Sequence, residues 1–465
     1  MKASQRATRS RTAAPLAAQC VAAVAGALSA LVPASPWACG QVNSEDLRLL
    51  RRTPVVEVYE AVRQSVVFVT GPVFQGDRPK LEEFFELPGS EPLPESVGSG
   101  FVIHPAGYIL TNAHGAERIV EPWVVLADGK RYPAELVATA SQEDVALLKV
   151  DAGRQWPAVR LAAAGDVMIG ETVVVIGHPH GLRHTCTAGI VGAVGRSTQL
   201  ADRGNMTLRD LIQTDAAINP GSSGGPWFNV VGEVMGMTVS MKQGAENISF
   251  AIPAATIRRV LPGLLDPERR YGLLVGLQLE EGPEGCRVAA VEADSPAAAA
   301  GVQPSDLITA IDRRPTPTPL EYQFALVGRR PSEPMAIELL REGQRIEVSL
   351  ELGRRPKPDG AALSRRMLGL EVAALDKETA QAMLLRVPRG VHVTAVDDRR
   401  YSAVKHKPAP GDVLARINAI RPRDLDHLGL LLDRLQPGQP VRLVLVRYRE
   451  QTATRIDIKL ALPER

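Results

Sequence analysis

The sequence predicts a mainly β protein with about three domains. Its 465 residues correspond to roughly three domains of about 150 residues each. Between residues 98 and 253, short apolar runs alternate with turns that contain Gly and Pro, a pattern typical of a β-barrel or sandwich. Two later segments share one order of motifs, which indicates an internal repeat of smaller α+β domains.

Composition and charge exclude some classes of function. Hydrophobic residues make up 45% of the chain and charged residues 23%, as in ordinary soluble proteins. The 54 basic and 52 acidic side chains give a formal net charge of +2, so we expect no nucleic-acid partner. The four cysteines are too few for a disulfide framework across three domains.

Residues 1–38 predict an export signal. A basic start is followed by an alanine-rich apolar run at 13–32 and then by small residues, the order of a secretory signal peptide. An uncleaved membrane anchor is the alternative, because about 20 apolar residues can span a bilayer. Lipidation at Cys39 is a third interpretation. We therefore expect an exported protein, with residues 1–38 as a signal peptide or an anchor.

Changes of pattern mark the domain boundaries. Apolar residues at helical spacing from Val55 to Val62 predict a helix, and 254–265 predict another that closes the first domain. Residues 71–96, rich in Pro, Gly and Glu, predict a long surface loop. The charged segment 354–360 predicts a linker. The predicted domains are, in chain order, residues 50–270, 271–353 and 361–465.

The sequence Asn-Pro-Gly-Ser-Ser-Gly-Gly-Pro at 219–226 predicts a reactive serine. Its glycines allow a tight turn that turns the Ser223 hydroxyl outward and lets a substrate approach the backbone. The N–H groups of Gly221 and Ser223 can then form an oxyanion hole, in which one donor contributes about 10²–10³ in rate. Taken alone, the segment is also compatible with an ordinary Gly/Ser loop.

A serine nucleophile needs a base, and the base needs an orienting acid. His114 follows an apolar strand that can hold it rigidly, whereas His104 precedes a turn and is expected to face solvent. Asp144 begins an apolar strand and is the expected acid. Asp215 is too close to Ser223 in sequence to reach around the base, so we expect it to have a structural role.

These motifs resemble the HtrA/DegP family of envelope serine proteases. The order His, Asp, Ser is the same, and four segments carry the resemblance: Gly-Ser-Gly-Phe-Val-Ile at 98–103, Thr-Asn-Ala-His at 111–114, Asp-Val-Ala-Leu-Leu-Lys-Val at 144–150 and Ser-Phe-Ala-Ile-Pro at 249–253. The resemblance implies a chymotrypsin-like double β-barrel followed by two PDZ domains. It implies His114 as the general base, Asp144 as its orienting carboxylate and Ser223 as the nucleophile.

The resemblance also implies a biological role. Members of this family are ATP-independent endopeptidases, need no cofactor, and act on unfolded or misfolded polypeptides in the bacterial periplasm or cell envelope. A homotrimer or higher oligomer is implied as well. Residues 196–210, a polar segment expected to be a loop, match the family's sensor loop, which relays PDZ occupancy to the active site.

This chain departs from the family pattern at three places without losing a catalytic group. Ser222 stands where the family usually has Asn, and Gly115 stands where an apolar residue follows the base. The turn at 177–181 reads Gly-His-Pro-His-Gly instead of Gly-Asn-Pro-Phe-Gly. We expect these changes to affect the rate and not the reaction.

The same turn lies in a group of potential metal ligands, namely His178, His180, His184 and Cys186. A metal site also needs convergent geometry and an outer shell of hydrogen bonds. We interpret these residues as turn histidines near the substrate cleft, and we expect no metal.

Two Φ-Gly-Φ tripeptides predict loops that bind a peptide C-terminus, where Φ is an apolar residue. In PDZ domains, the backbone N–H groups of such a loop bind the peptide carboxylate, and the peptide adds as a strand to the sheet. The predicted loop residues are Val275, Gly276 and Leu277 in the first domain and Leu368, Gly369 and Leu370 in the second.

The resemblance places the base of the primary substrate pocket six residues before the nucleophile, at Ala217. Ala217 has no charge to pair with a buried Lys or Arg of the substrate, which would cost several kcal/mol unpaired. We expect Ile218 and the strand residues Met237, Thr238 and Val239 to form the wall. The pocket should therefore accept small or branched apolar side chains.

Two other classes of function remain open at this stage. One is a chaperone or holdase in which peptide capture matters more than cleavage. The other is a PDZ scaffold with weak proteolysis, which the complete set of His114, Asp144 and Ser223 argues against.

Overall fold

The computed structural model describes residues 44–73, 95–119, 121–179, 182, 184–200, 206–241, 247–383, 390–402, 404–418, 420–449 and 452–463. The predicted signal peptide or anchor lies outside these ranges, as does most of the loop predicted at 71–96. The chain divides into two units at Thr53 and Pro54. The described part of the first unit contains helix α1 (Ser44–Leu50). None of the helices in the described ranges has the length and apolarity to cross a bilayer.

The second unit begins with helix α2 (Pro54–Val62), which confirms the first predicted helix. Val58 and Val62 are buried, as their helical spacing predicts. A 3₁₀ turn (Arg63–Ser65) leads into an antiparallel seven-stranded sheet with the order β5-β4-β1-β2-β3-β7-β6. Its strands are β1 (Val66–Pro72), β2 (Glu95–His104), β3 (Tyr108–Asn112), β4 (Trp123–Val125), β5 (Arg131–Pro133), β6 (Glu135–Ala140) and β7 (Val145–Lys149).

A closed six-stranded barrel follows, with the order β10-β13-β12-β11-β8-β9. Closure leaves no unpaired sheet edge, and Trp227 and Phe228 are fully buried. The predicted closing helix is confirmed as α4. The elements are β8 (Thr172–Gly177), β9 (Thr185–Leu200), β10 (Met206–Thr214), β11 (Pro226–Phe228), β12 (Val234–Met241), β13 (Ser249–Pro253) and α4 (Ala254–Leu265).

Residues 196–210 differ from the expectation of a polar loop. Residues 196–200 end strand β9 and residues 206–210 begin strand β10, and the two pair from Leu200 and Met206 onwards. Leu200 and Leu208 are buried, which explains why the segment folds onto the barrel. The segment is therefore a β-hairpin, at least in the residues that the structure describes.

Two α+β modules follow the barrels. The first module (residues 273–354) comes after a short connector (residues 266–272) that contains helix α5 (Pro267–Tyr271). Its elements are β14 (Leu273–Leu274), β15 (Leu277–Gly282), β16 (Gly285–Val291), α6 (Pro296–Ala299), β17 (Leu307–Ile311), β18 (Arg314–Pro315), α7 (Pro319–Leu326), β19 (Pro334–Arg341), β20 (Gln344–Glu351) and β21 (Gly353–Arg354).

The second module (residues 360–461) contains a five-stranded antiparallel sheet with the order β22-β23-β24-β25-β26. A helical segment that ends in a π turn (Ser364–Leu368) precedes its first strand. Its other elements are α8 (Gly360–Leu363), β22 (Leu370–Leu375), α9 (Lys377–Ala382), β23 (Gly390–Val396), β24 (Val413–Ile417), α10 (Leu425–Asp433), β25 (Pro440–Arg449) and β26 (Thr452–Ala461).

A buried ion pair recurs in both modules at equivalent places. Asp306 accepts hydrogen bonds from Arg341 at 2.7 Å, and Asp412 accepts them from Arg447 at 2.7 and 2.9 Å. Both aspartates are almost completely buried, and each also accepts a backbone N–H from the residue three positions before it. The same clamp at the same sequence separation supports the internal repeat that the motif order predicts.

The connector and the second module meet the first sheet at Glu135. Arg270 of the connector donates to both carboxylate oxygens at 3.3 and 3.1 Å, and Arg423 of the second module lies 2.8 Å away. Burial opposes ionisation of this carboxyl, but Arg270 and Arg423 outweigh it and hold the pKa of Glu135 below its usual value of 4.5. Glu135 therefore joins three parts of the chain as a carboxylate.

Replacing Glu135 with Gln should lower the free energy of unfolding by about 1.5–3 kcal/mol at pH 7, the usual contribution of hydrogen bonds to a charged group. Because the folded-state pKa is lowered, this stabilisation is present above pH 4.5 and is lost as the pH falls through the folded-state pKa. Melting temperatures of the wild type and the variant should therefore converge in acid. Glu143→Gln, which breaks a more exposed pair with Arg259, is the control and should change little. Equal effects of both variants would contradict the prediction.

Candidate active site

Asp144 and His114 form a closely paired acid and imidazole. The backbone N–H of His114 donates to Asp144 Oδ1 at 2.8 Å, and His114 Nδ1 lies 2.8 Å from Asp144 Oδ2. Asp144 is fully buried, and its backbone carbonyl also accepts the N–H of Ala113 at 3.1 Å. The imidazole is 19% exposed, and Asp144 fixes its orientation.

Local structure explains this pairing. His114 belongs to the single helical turn α3 (Ala113–Ala116), which directly follows strand β3. Asp144 directly precedes strand β7, and β3 and β7 are paired with Asn112 opposite Val145. Two residues that are distant in sequence therefore meet at the same end of two neighbouring strands.

Ser223 lines the same cavity as His114. This cavity of about 310 Å³ is also lined by Gly98, Asn112 and Gly115. Ser223 lies in the loop between β10 and β11 of the second barrel, and His114 follows a strand of the first sheet. The Ser223 hydroxyl donates a long hydrogen bond to the carbonyl of Val239, at 3.4 Å. The structure thus brings Ser223 of the barrel and His114 of the first sheet, with Asp144 paired behind it, to one cavity.

Ser99 of strand β2 holds the serine loop in place, a role that sequence analysis missed. Its backbone N–H donates to the carbonyl of Ser223 at 2.8 Å, and its hydroxyl donates to the carbonyl of Gly221 at 2.8 Å. The same hydroxyl accepts the backbone N–H of His178 at 2.9 Å, and Thr111 donates to the Ser99 carbonyl at 2.7 Å. Ser99 is fully buried. The position of Ser99 between two glycines, before an apolar strand, is the feature of the sequence that could have indicated this role.

Glycines allow Ser99 to approach the loop. At Gly224, φ is +82° and a Cβ would lie 2.2 Å from the Ser99 carbonyl oxygen. At Gly225, a Cβ would lie 2.8 Å from the carbonyl oxygen of Ile176. No side chain fits at either position, so these two motif glycines are required by close packing as well as by backbone conformation.

The predicted oxyanion donors have suitable backbone surroundings. Gly221 has φ of +98°, in the region that favours glycine, and its carbonyl is fixed by Ser99. Ser222 donates its backbone N–H to Asn219 in a turn. Within the described part of the chain, the N–H groups of Gly221 and Ser223 donate to no other group. These two donors are therefore available to a ligand.

The residues predicted for the substrate pocket do not all share one surface. Ala217 is exposed and Ile218 is buried. Met237 is fully buried in the core with Phe228. Thr238 is also fully buried, and its hydroxyl accepts a hydrogen bond from Trp227 Nε1 at 2.8 Å. The side chains of Met237 and Thr238 therefore support the barrel and do not line an open pocket here.

His104 and Asp215, the alternatives to His114 as the base and to Asp144 as the acid, have other contacts. His104 was expected to face solvent, but it is half-buried and stacks on Phe324 of the first module, with 5.1 Å between ring centroids. Burial, with a smaller contribution from Lys149, lowers the pKa of His104 to about 4. Asp215 accepts the backbone N–H of Ile190 at 2.7 Å and so holds the adjacent strand.

The histidines of the turn pack against each other and against strand β1. The rings of His178 and His184 have centroids 4.7 Å apart, and His184 Nε2 lies 3.1 Å from the carbonyl of Val66. His180 lies outside the described residues. Among the residues that are described, no group of three or more His, Cys, Asp or Glu side chains has an arrangement suited to a metal ion.

The two predicted carboxylate-binding loops differ in their contacts. In the first module, Val275 is buried, Gly276 has φ of +85°, and Leu277 begins strand β15. In the second module, the N–H of Gly369 donates to the carbonyl of Arg365 at 3.1 Å, and Leu368 and Leu370 are fully buried. That glycine N–H is thus already bonded within the chain.

Comparison with known protein families matches two parts of the chain. Residues 98–237 match the trypsin-like peptidase domain, and residues 271–352 match the PDZ domain. The chain is 35% identical over 384 residues to a probable periplasmic serine endoprotease, DegP-like, from Pseudomonas fulva, covering 75% of this chain and 78% of the relative. A relative of the same description from Chlamydia pneumoniae is 30% identical, covering 76% of this chain and 75% of that one.

Solved structures give similar matches. A serine endoprotease from Yersinia pestis is 30% identical, covers 66% of this chain and 99% of its own, and has a TM-score of 0.37. The HtrA-type protease AlgW with decapeptide is 30% identical, covers 65% of this chain and 99% of its own, and has a TM-score of 0.39.

Replacing Ser99 with Ala should slow the covalent labelling of Ser223 by a fluorophosphonate by about 10²-fold, the usual effect of losing one oxyanion donor. The physical reason is that the Gly221 carbonyl would lose the hydrogen bond that fixes the turn between the two predicted donors, Gly221 and Ser223. Labelling rates by mass spectrometry test this. Ser349→Ala, on an exposed strand position, is the matched control and should label at the wild-type rate. Unchanged labelling of the Ser99 variant would contradict this role.

Proposed function

The chain belongs to the family of DegP-like serine endoproteases, and from this premise we propose that it is an exported, ATP-independent protease that degrades unfolded or misfolded polypeptides. The observation that carries the proposal is the buried Asp144 paired with His114 at the cavity that Ser223 also lines. The serine endopeptidase activity follows from family membership. The bacterial periplasm is the proposed location, because the curated relatives are described as periplasmic.

The proposed mechanism uses the chain's own residues and no cofactor. The Ser223 hydroxyl attacks the scissile carbonyl carbon while His114 takes its proton, and Asp144 stabilises the imidazolium that forms. The N–H groups of Gly221 and Ser223 bind the developing oxyanion. His114 then gives the proton to the leaving amine, which leaves an acyl-enzyme ester on Ser223. Water, deprotonated by His114, hydrolyses this ester and restores the serine.

The two C-terminal modules are proposed to bind peptides and to regulate cleavage. We assign the protease domain to residues 50–270 and the PDZ domains to residues 271–353 and 361–465. The repeated Asp306–Arg341 and Asp412–Arg447 clamps support the same fold for both modules. Peptide C-termini are the proposed ligands of the Φ-Gly-Φ loops. A homotrimer or higher oligomer is the proposed assembly.

Ser223→Ala and His114→Ala should each lower kcat by about 10⁶-fold, because members of a triad act as a unit. The assay is cleavage of unfolded casein by the purified protein, with and without a fluorophosphonate. The wild type should cleave, and the inhibitor should abolish cleavage. Glu347→Gln, at an exposed position of strand β20 in the first module, is a charge-changing control away from the site and should retain the wild-type rate. Comparable cleavage by Ser223→Ala would overturn the mechanism.

The protease should cut mainly after Val, Ala, Ile or Leu. Ala217 offers no charge to a basic side chain, and a methylene group in an apolar pocket contributes only about 1–3 kcal/mol to discrimination, so the preference should be broad. Mapping the cut sites in an unfolded protein by mass spectrometry measures it. Ala217→Asp should add cuts after Lys and Arg. If the wild type already cut mostly after Lys or Arg, the pocket assignment would be wrong while the catalytic assignment would stand.

A further inference from the structure

A carboxylate from the connector already occupies the predicted carboxylate-binding loop of the first module. Glu268, in helix α5, accepts the backbone N–H of Val275 on Oε2 at 3.1 Å. The neighbouring N–H of Gly276 also favours the ionised form of this carboxylate. Val275 and Gly276 belong to the Φ-Gly-Φ loop, whose N–H groups bind the carboxylate of a peptide C-terminus. Glu268 therefore makes the contacts expected of a ligand.

The groove beside the loop has space for a peptide. A cavity of about 740 Å³ is lined by Glu268 and Gly276, by Leu277 and Gln278 of strand β15, and by Gln323 of helix α7. An extended peptide that adds to β15 would run along this cavity with its end at the loop. The groove beside β15 thus has space for the main chain of a peptide, while Glu268 occupies the position of the terminal carboxylate.

Other contacts hold Glu268 only weakly. Tyr322 donates to Oε1 at 3.5 Å, and a nitrogen of Arg355 lies 3.9 Å from Oε2. The Glu268 side chain is 16% exposed. Burial raises the pKa of Glu268, and the N–H groups of Val275 and Gly276 and the charge of Arg355 only partly offset this. The contacts that a competing carboxylate must displace are therefore the Val275 hydrogen bond and the two longer contacts with Tyr322 and Arg355.

We propose that Glu268 is a built-in competitor of the peptide carboxylate and sets the affinity of the first module for free C-termini. This rests on the proposed function in one respect, namely that the first module binds peptide C-termini. A peptide with a free carboxylate binds only when Glu268 leaves the loop. Its apparent affinity is therefore the intrinsic affinity of the open loop multiplied by the fraction of time that the loop is free. A peptide whose carboxylate is blocked gains nothing from the release of Glu268.

The neighbours of Glu268 connect this exchange to the protease domain. Arg270 pairs with Glu135 of strand β6, and the Tyr271 hydroxyl lies 2.8 Å from the hydroxyl of Tyr108 on strand β3. Both residues belong to the same short helix as Glu268. Movement of that helix when a peptide displaces Glu268 would therefore change contacts on the strand that leads to His114.

The test measures peptide affinity in the full chain. A fluorescent ten-residue peptide that ends in valine with a free carboxylate, and the same peptide as a C-terminal amide, are titrated by anisotropy. The chain carries Ser223→Ala to prevent cleavage. Glu268→Ala should bind the free-acid peptide on the order of tenfold more tightly than the Glu268 chain, and the amide with unchanged affinity. Glu268→Gln, which keeps the size of the side chain, should give a smaller gain.

Glu292→Gln is the matched control. Glu292 lines the same groove and pairs with Arg355 at 2.6 Å, but in the described part of the chain its carboxylate accepts no hydrogen bond from an N–H of the loop. This variant removes the same charge and should change the affinity less than twofold. Melting temperatures show whether each variant is folded, and Glu268→Gln provides the result if Glu268→Ala is not.

Three outcomes would overturn the proposal. Unchanged or weaker free-acid binding in both Glu268 variants would make Glu268 a purely structural cap of the loop. An equal gain in affinity for the free-acid and the amide peptide would mean that Glu268 blocks the groove sterically and does not compete with the carboxylate. Absence of peptide binding in every variant would mean that release of the loop does not create the site. Casein cleavage by the chain with Ser223 intact is measured separately, so failure of the proposed protease function is distinguished from failure of this inference.

Discussion

The hydrogen bonds of Ser99 are the constraint on which the candidate active site depends, because they join the first sheet to the barrel at the loop that carries Ser223. Ser99 lies in strand β2 of the first sheet, while Gly221, Ser223 and His178 belong to the second barrel. Each neutral hydrogen bond contributes only about 0.5–1.5 kcal/mol net. A buried carbonyl or N–H that loses its partner costs about 1–3 kcal/mol of folding free energy. The loop is therefore held mainly because its polar groups would be buried without partners if it moved. The position of Ser223 at the cavity that His114 also lines is thus a property of the interface between the first sheet and the barrel.

The three residues proposed for the triad stand out in the sequence because each lies at the end of a strong local pattern. His114 and Asp144 flank apolar strands, and Ser223 lies among glycines whose close packing leaves no room for a side chain. Helices Pro54–Val62 and Ala254–Leu265 were likewise predictable from the helical spacing of their buried residues. The repeated modules could be recognised from the order of their motifs. In each case a short stretch of sequence contains the whole pattern on which the prediction rests.

Features that depend on contacts between distant segments could not be predicted. Both faces of strand β12 are covered, so Met237 and Thr238 are buried in succession, and alternation along a strand does not reveal this. Phe324 of the first module, more than 200 residues away in the sequence, packs on His104 and helps to bury it. The hairpin at 196–210 is mostly polar, and its strands form because the barrel gives its few apolar residues, such as Leu200 and Leu208, a place to be buried. Glu268 resembles any exposed acid of a short helix until the loop at Val275 folds back onto it.

Strand β3 explains how such a distant contact can reach the catalytic base. Tyr108 at its first position contacts Tyr271 of the connector, and Asn112 at its last position precedes the turn that carries His114. Five residues of extended chain separate these ends by only about 13–17 Å. The strand is fully buried and pairs along its whole length with β7, which follows Asp144. A shift of the connector would therefore act on the proposed base His114 and the proposed acid Asp144 together. Thermodynamic linkage then requires that a ligand bound at this site change the connector equilibrium by the same free energy.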